Sequence, residues 1–334
     1  MAQIPGAAYD TRPAKLLQQH TARISLLKTA IFDKIHALFL PKDNLMEHNN
    51  LNILEKPTFK SPRMLLGFSG WMDGGEVSTG TVEGLVESLN ARKFASIDHE
   101  GFYIYNFPGS MELAALFRPH SKIENARIEN LEFPANYFFA CEKNDLILFL
   151  GKEPNLHWRR FAECIFTLCN EFSVKMIYFI GSVAGLVPHT REPRILCSLS
   201  DPGLMETFHG YGVKFANYEG PASFVTYLTT TAPAHNLRMA SLVATIPAYV
   251  QGNNPKAIEA VTRRLASMLG LHVELDRLRS VSDEFERKLS ELIQDQPELA
   301  ETISKLEESY DDELFESEMA DLKHWLQQKG VRVD

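Results

Sequence analysis

No two cysteines in this sequence have the CxxC spacing of a zinc or dithiol motif; Cys141, Cys164, Cys169 and Cys197 stand apart. That spacing excludes a visible zinc ribbon or thioredoxin-type centre. With no signal-peptide pattern, reduced thiols in a cytoplasm are the expectation. Long uninterrupted apolar runs are missing too: residues 24–40 are interrupted by Lys28, Asp33 and Lys34, so they do not read as a membrane span. Excess positive charge is lacking. The net charge is −9, which argues against a nucleic-acid face or a basic helix lying on a membrane. Walker A, GxGxxG, HExxH, EF-hand and GxSxG patterns are all missing, and no metal or cofactor is expected.

The 334 residues are 45% hydrophobic and 23% charged, a globular balance with ample material for a core. The acidity is local. Residues 271–334 hold 18 acidic and 8 basic side chains, leaving the remainder close to neutral.

Three segments are expected. In residues 1–60, Leu16, His20, Ile24, Leu27, Ile31, Ile35 and Leu38 recur at spacings of three and four. This is the stripe of an amphipathic helix, with residues 42–60 as a linker. Residues 61–270 read as an α/β domain. Strands are expected at residues 64–68, 103–107, 127–133, 136–141, 146–150, 176–180, 194–198 and 240–246, and helices at 76–89, 157–172, 221–230 and 254–269. The runs at 146–150 and 176–180 are apolar throughout, as strands buried on both faces are. Strands alternating with helices predict a largely parallel sheet flanked by helices. Residues 271–334 read as an acidic helical hairpin: an apolar 3–4 pattern from Leu271 to Leu292 lapses at Ser282, and Pro297 starts the second helix. Its apolar stripe either packs on its own domain or receives a partner.

Ligands on parallel sheets bind at the carboxyl ends of strands, and the polar motifs fall on those loops. Gly70-Trp71-Met72-Asp73-Gly74-Gly75 lies at a strand-to-helix turn; it could approach an anion through backbone amides, or Asp73 could cap the helix. Glu153, in Gly151-Lys152-Glu153-Pro154, is a site candidate or an acid favoured by a helix N-terminus. His189 and Arg191 follow a turn expected at residues 181–185 and could bind an anion or do acid–base work; alternatively, local hydrogen bonds or a subunit contact hold that loop. Glu219 could hold a hydroxyl pair or a cation, or cap the helix opening at Pro221. Ser223 lacks a nucleophile's setting, and His235 reads as structural.

Taken in order, six segments resemble the proteasome assembly chaperone 2 family in its prokaryotic branch. They are Phe68 through Gly75; Phe117-Arg118-Pro119; Gly151 through Pro154 with Trp158 and Phe161; Gly181 through Arg191; Tyr218 through Phe224; and Ile246 through Val250 with Asn254-Pro255. The resemblance implies a purine-nucleoside-phosphorylase-like fold, homo-oligomers of three or more copies, a chaperone-like role, and no settled enzyme activity. With the strand-end loops, the candidate ligand-binding residues are Trp71, Asp73, Gly74, Gly75, Arg118, Glu153, His189, Arg191, Glu219 and Ser223. Family members that dock on the proteasome carry a hydrophobic–Tyr–any-residue tail. Residues 332–334 read Arg-Val-Asp, so a role without that tail is expected. Two readings follow: a self-assembling scaffold that meets protein partners through residues 271–334, or an enzyme or small-ligand binder using a cleft at the strand ends.

Overall fold

The computed structural model describes residues 50–328. The expected N-terminal helix and the Arg332-Val333-Asp334 end lie outside them. Among the described residues are eleven strands: β1 (Leu51–Ile53), β2 (Arg63–Ser69), β3 (Arg92–Ile97), β4 (His120–Glu124), β5 (Arg127–Glu132), β6 (Tyr137–Cys141), β7 (Leu146–Lys152), β8 (Met176–Gly185), β9 (Ile195–Leu199), β10 (Lys214–Phe215) and β11 (Arg238–Pro247). The helices are α1 (Val77–Ser88), α2 (Met111–Ala115), α3 (Trp158–Glu171), α4 (Met205–His209), α5 (Phe224–Thr231), α6 (Pro255–Leu269), α7 (Asp276–Gln294) and α8 (Pro297–Gln328).

Nine strands form one sheet in the order β1-β3-β6-β7-β2-β8-β11-β9-β10. Its centre, β7-β2-β8-β11, is wholly parallel, and antiparallel pairs flank it at β1-β3-β6-β7 and β11-β9. The central strands are apolar because both faces are covered. On one face Phe68, Phe149 and Phe179 meet Phe161 of α3 and Phe224 of α5. On the other, Leu65, Leu148 and Ile180 meet Val82 and Leu85 of α1 and Ile258 and Val261 of α6. Cys164 and Cys169 are core residues, and all four thiols are buried and free.

Three local expectations need correction. Residues 103–107 form no strand; Phe102 and Tyr103 are buried anchors, and the Ile104 amide donates to the Asn155 side chain instead of to a ladder. Residues 181–185 are not a turn but the second half of β8. The stretch read as linker contains β1, which pairs with β3. Ser282, where the apolar pattern lapses, sits buried within a continuous α7. Beyond Pro297, α8 completes the expected hairpin, with Ile293 and Ile303 buried.

Candidate functional site

Because β7, β2, β8 and β11 run parallel, their carboxyl ends share one edge of the sheet. The loops leaving them carry most of the candidate residues. After β2, Met72 accepts a hydrogen bond from the Ser182 amide at 2.8 Å, which brings the loop onto β8. The Asp73 carboxylate then accepts from the amides of Ser78 (2.8 Å) and Thr79 (3.1 Å) and from the Thr79 hydroxyl (2.8 Å). Asp73 is thereby the anchor of the first turn of α1. Burial pushes its carboxyl above the ordinary range, against the lowering effect of these same bonds. Gly75 adopts φ 63°, and a Cβ there would stand 2.7 Å from Cβ of Asn254. Only glycine fits both the left-handed backbone and the close approach. Gly74 lies against Ile246 and Ser182.

After β7, Glu153 joins two loops. Its Oε2 accepts from the Trp71 amide at 2.9 Å and its Oε1 from the Phe224 amide at 2.8 Å. The second bond satisfies an orphan donor at the start of α5, so the carboxylate does serve a helix N-terminus, though that of α5 and not of α3. The Trp71 ring stays 67% exposed above it. Ser223 is the N-cap of α5 in a capping box with Thr226, and it is buried. No nucleophile setting surrounds it.

After β8, the loop of residues 186–194 is locked to other elements. His189 is buried. Its backbone amide donates to the Tyr249 hydroxyl (2.8 Å), which faces Nδ1 at 2.9 Å, while Nε2 meets the Ser290 hydroxyl at 3.0 Å. A hydroxyl that accepts from the amide can donate to Nδ1, which leaves the proton on Nε2 for Ser290. Burial, then the Lys256 ammonium, hold the imidazole below its ordinary pKa, which favours this neutral form. Lys256 donates to the His189 carbonyl at 2.7 Å and pairs with Glu286 of α7. Thr190 donates to Glu307, and Arg191 forms two bonds to Asp311 of α8. Arg194 reaches Glu313 at 2.6 Å and stacks on Tyr310, its guanidinium carbon 4.0 Å from the ring centre.

The structure therefore gathers Trp71 and Glu153 beside Ser223, Gly74 and Gly75 beside Asn254, and His189 and Arg191 beneath the helical hairpin. A cavity of about 10 Å³ is lined by His189, Arg191, Asn254 and Lys256 among others, room for about one water. Arg118 stands apart on an exposed segment and reaches Asn106 at 3.4 Å; Glu219 is exposed. His235 stacks on Phe166 with ring centres 4.3 Å apart, a structural role. Among the described residues no group of three His, Cys, Asp or Glu side chains is placed to hold a metal, and no helix is long and apolar enough to cross a membrane. Sequence reasoning missed Tyr249, Asn254, Lys256 and Ser290 as partners. The first three could have been found by applying the strand-end rule to β11, whose carboxyl end they follow.

The sequence profile of the PAC2 family matches residues 67–293. No curated protein matches the chain. Among solved structures, a proteasome-assembly chaperone homologue from Mycobacterium tuberculosis is 25% identical, with a TM-score of 0.63 over 72% of this chain and 99% of its own. A PAC2 family protein from Streptomyces avermitilis is 26% identical, with a TM-score of 0.62 over 72% of this chain and 99% of its own. An archaeal proteasome activator from Pyrococcus furiosus shares the fold at 20% identity, with a TM-score of 0.55 over 72% of this chain and 97% of its own. With the profile spanning most of the chain, and with the parallel centre and strand-end loops in place, the chain belongs to the PAC2 family.

Proposed function

We propose that this chain works by holding proteins and not by turning over a small molecule: a self-assembling, chaperone-like scaffold. One observation carries the reading. The polar groups at the strand ends that could bind or activate a ligand are already engaged within the chain. Glu153 serves two backbone amides, Arg191 two carboxylates, and His189 two hydroxyls. The relatedness to a chaperone homologue supports the same role.

The acidic hairpin has two sides in this reading. Glu286, Glu307, Asp311 and Glu313 face inward to Lys256, Arg191 and Arg194. Glu308, Asp312 and Glu316 recur every four residues on α8 and are exposed, a stripe suited to a partner with a basic surface. The test combines three measurements on the full chain. Mass-resolved chromatography should show an oligomer. Thermal-shift scans with nucleosides, nucleotides and inorganic phosphate should show no specific stabilisation. A captured partner should be lost when Glu308, Asp312 and Glu316 are all changed to Lys. A saturable shift with a nucleoside or phosphate would instead establish a ligand cleft at the strand ends and overturn the scaffold reading.

A further inference from the structure

The two helices of the acidic hairpin are attached to the body by different forces. α7 is held by apolar packing: Leu271, Val273 and Leu278, around its start, join the layer that contains Ile258 and Leu265 of α6, and Ile293 near its end is buried. α8 is held otherwise. Among its described side chains Ile303 alone is buried, and every residue from 311 to 316 is exposed. That exposed stretch is still tied down. Asp311 takes two bonds from Arg191, Glu307 lies 3.6 Å from the same guanidinium, and Glu313 meets Arg194 at 2.6 Å and Lys214 at 3.7 Å.

The surface beneath α8 is a basic strip. Arg191 and Arg194 come from the loop after β8, and Lys214 from β10. Among the described residues, the carboxylates paired with these three cations all belong to α8. Arg263 and Arg264 of α6, by contrast, are matched by Glu192 and Glu259 of the body itself. Lifting α8 would leave the strip without a counter-charge, a positive field that draws carboxylates. The strip also reads more than charge. Arg191 meets Asp311 in a paired geometry. Arg194 lies on the Tyr310 ring and donates to the Tyr310 carbonyl at 3.0 Å, while the Tyr310 hydroxyl donates to the Glu192 carbonyl at 2.8 Å. Carboxylates four residues apart with a tyrosine between them are features of a helical peptide, not of a bare anion.

We propose that Arg191, Arg194 and Lys214 form a docking strip for an acidic helix of a partner protein, and that α8 is a tethered stand-in that blocks it. Exposed ion pairs are individually weak and are screened by salt, so α8 can lift while α7 stays packed. The tether keeps the strip shut. Only Asp295 and Gln296 separate α7 from α8, and a ligand on so short a link competes at an effective concentration in the millimolar range. A free helix with the same groups loses that competition until the carboxylates of α8 are drawn away or removed. The inference goes beyond the scaffold reading and does not rest on it.

The test uses the full chain, wild type and Glu307→Lys/Asp311→Lys/Glu313→Lys, with a fluorescent peptide of residues 297–316 as the probe. A lactam joining Glu301 to Lys305, an exposed pair that already meets at 2.7 Å, holds the peptide helical. By fluorescence anisotropy the triple variant should bind the peptide on the order of a hundredfold more tightly than wild type does. The gain should vanish when Arg191→Ala and Arg194→Ala are added. Equal affinity for wild type and triple variant, no binding to either, or a gain that survives the two arginine changes overturns the proposal. Mass-resolved chromatography reads self-assembly separately, so none of these outcomes decides the scaffold reading. Should the triple variant misfold, Asp311→Asn/Glu313→Gln, which keeps the side-chain shapes, takes its place in the same assay. Its expected gain is up to roughly tenfold, and the same three outcomes overturn the proposal.

Discussion

The guanidinium of Arg191 grips the carboxylate of Asp311 across 120 residues of chain, with Nε to Oδ1 at 2.9 Å and Nη2 to Oδ2 at 2.8 Å. This paired geometry ties the loop after β8 to the second helix of the hairpin. Both side chains keep contact with solvent, so salt weakens the grip. Arg191→Ala is expected to speed hydrogen exchange in α8 by roughly two- to fivefold at low ionic strength. The difference should shrink in 1 M salt, where the screening length falls from about 8 Å to about 3 Å.

His189 predicts a pH dependence. Its folded pKa is depressed by burial and by Lys256, so the unfolded chain takes up the proton first, near its ordinary value of about 6.5. Stability from the neutral ring is fully present above that pH and is lost as pH falls towards and through the folded pKa. Glu286 and Glu307 also face the ring and oppose the shift; Tyr249 and Ser290 bond its two nitrogens. Melting temperatures of wild type and His189→Asn, measured from pH 8 to about pH 5, should converge at the acid end. Parallel curves would remove His189 from the account.

Glu153 is expected to matter through its two amide contacts. Glu153→Ala strands the Trp71 and Phe224 amides and should cost about 2 kcal/mol in urea denaturation. Glu153→Gln keeps one good acceptor and should cost about half of that. Equal losses in the two variants would mean that packing, and not hydrogen bonding, is what Glu153 supplies.

Two glycines give a contrast. A Cβ on Gly67 would lie 2.7 Å from Val82 Cγ2 and 2.9 Å from the Ser78 carbonyl, where β2 lies against α1. Gly67→Ala should therefore destabilise by about 1–3 kcal/mol. Gly84, inside α1, has nothing within 4 Å of its ideal Cβ. Gly84→Ala should stabilise by about 0.5–1 kcal/mol, the helix-propensity gain. Thermal melts of the two variants test both signs.

The sheet's centre was legible because β7 and β8 are apolar on both faces and keep that pattern for the length of a strand. β1 was not, because three residues carry no readable period. Gly181 misled for a physical reason. A Cβ there would stand 3.0 Å from the Met72 carbonyl, so the residue marks a close approach inside a strand, where sequence logic reads a turn. At the strand ends the residue types were readable and their uses were not. Glu153 is committed to Phe224 and Arg191 to Asp311, partners 71 and 120 residues away. Such distant pairings leave no local trace.

The strand order has a further consequence during synthesis. β2 lies between β7 and β8, and β8 in turn lies beside β11. When β2 leaves the ribosome, neither of its eventual neighbours has been translated. Its sticky surface stays without lasting cover until Gly185 has emerged, and β8 waits for Pro247. Nascent chains of this protein therefore pass through a long interval in which they are prone to clump.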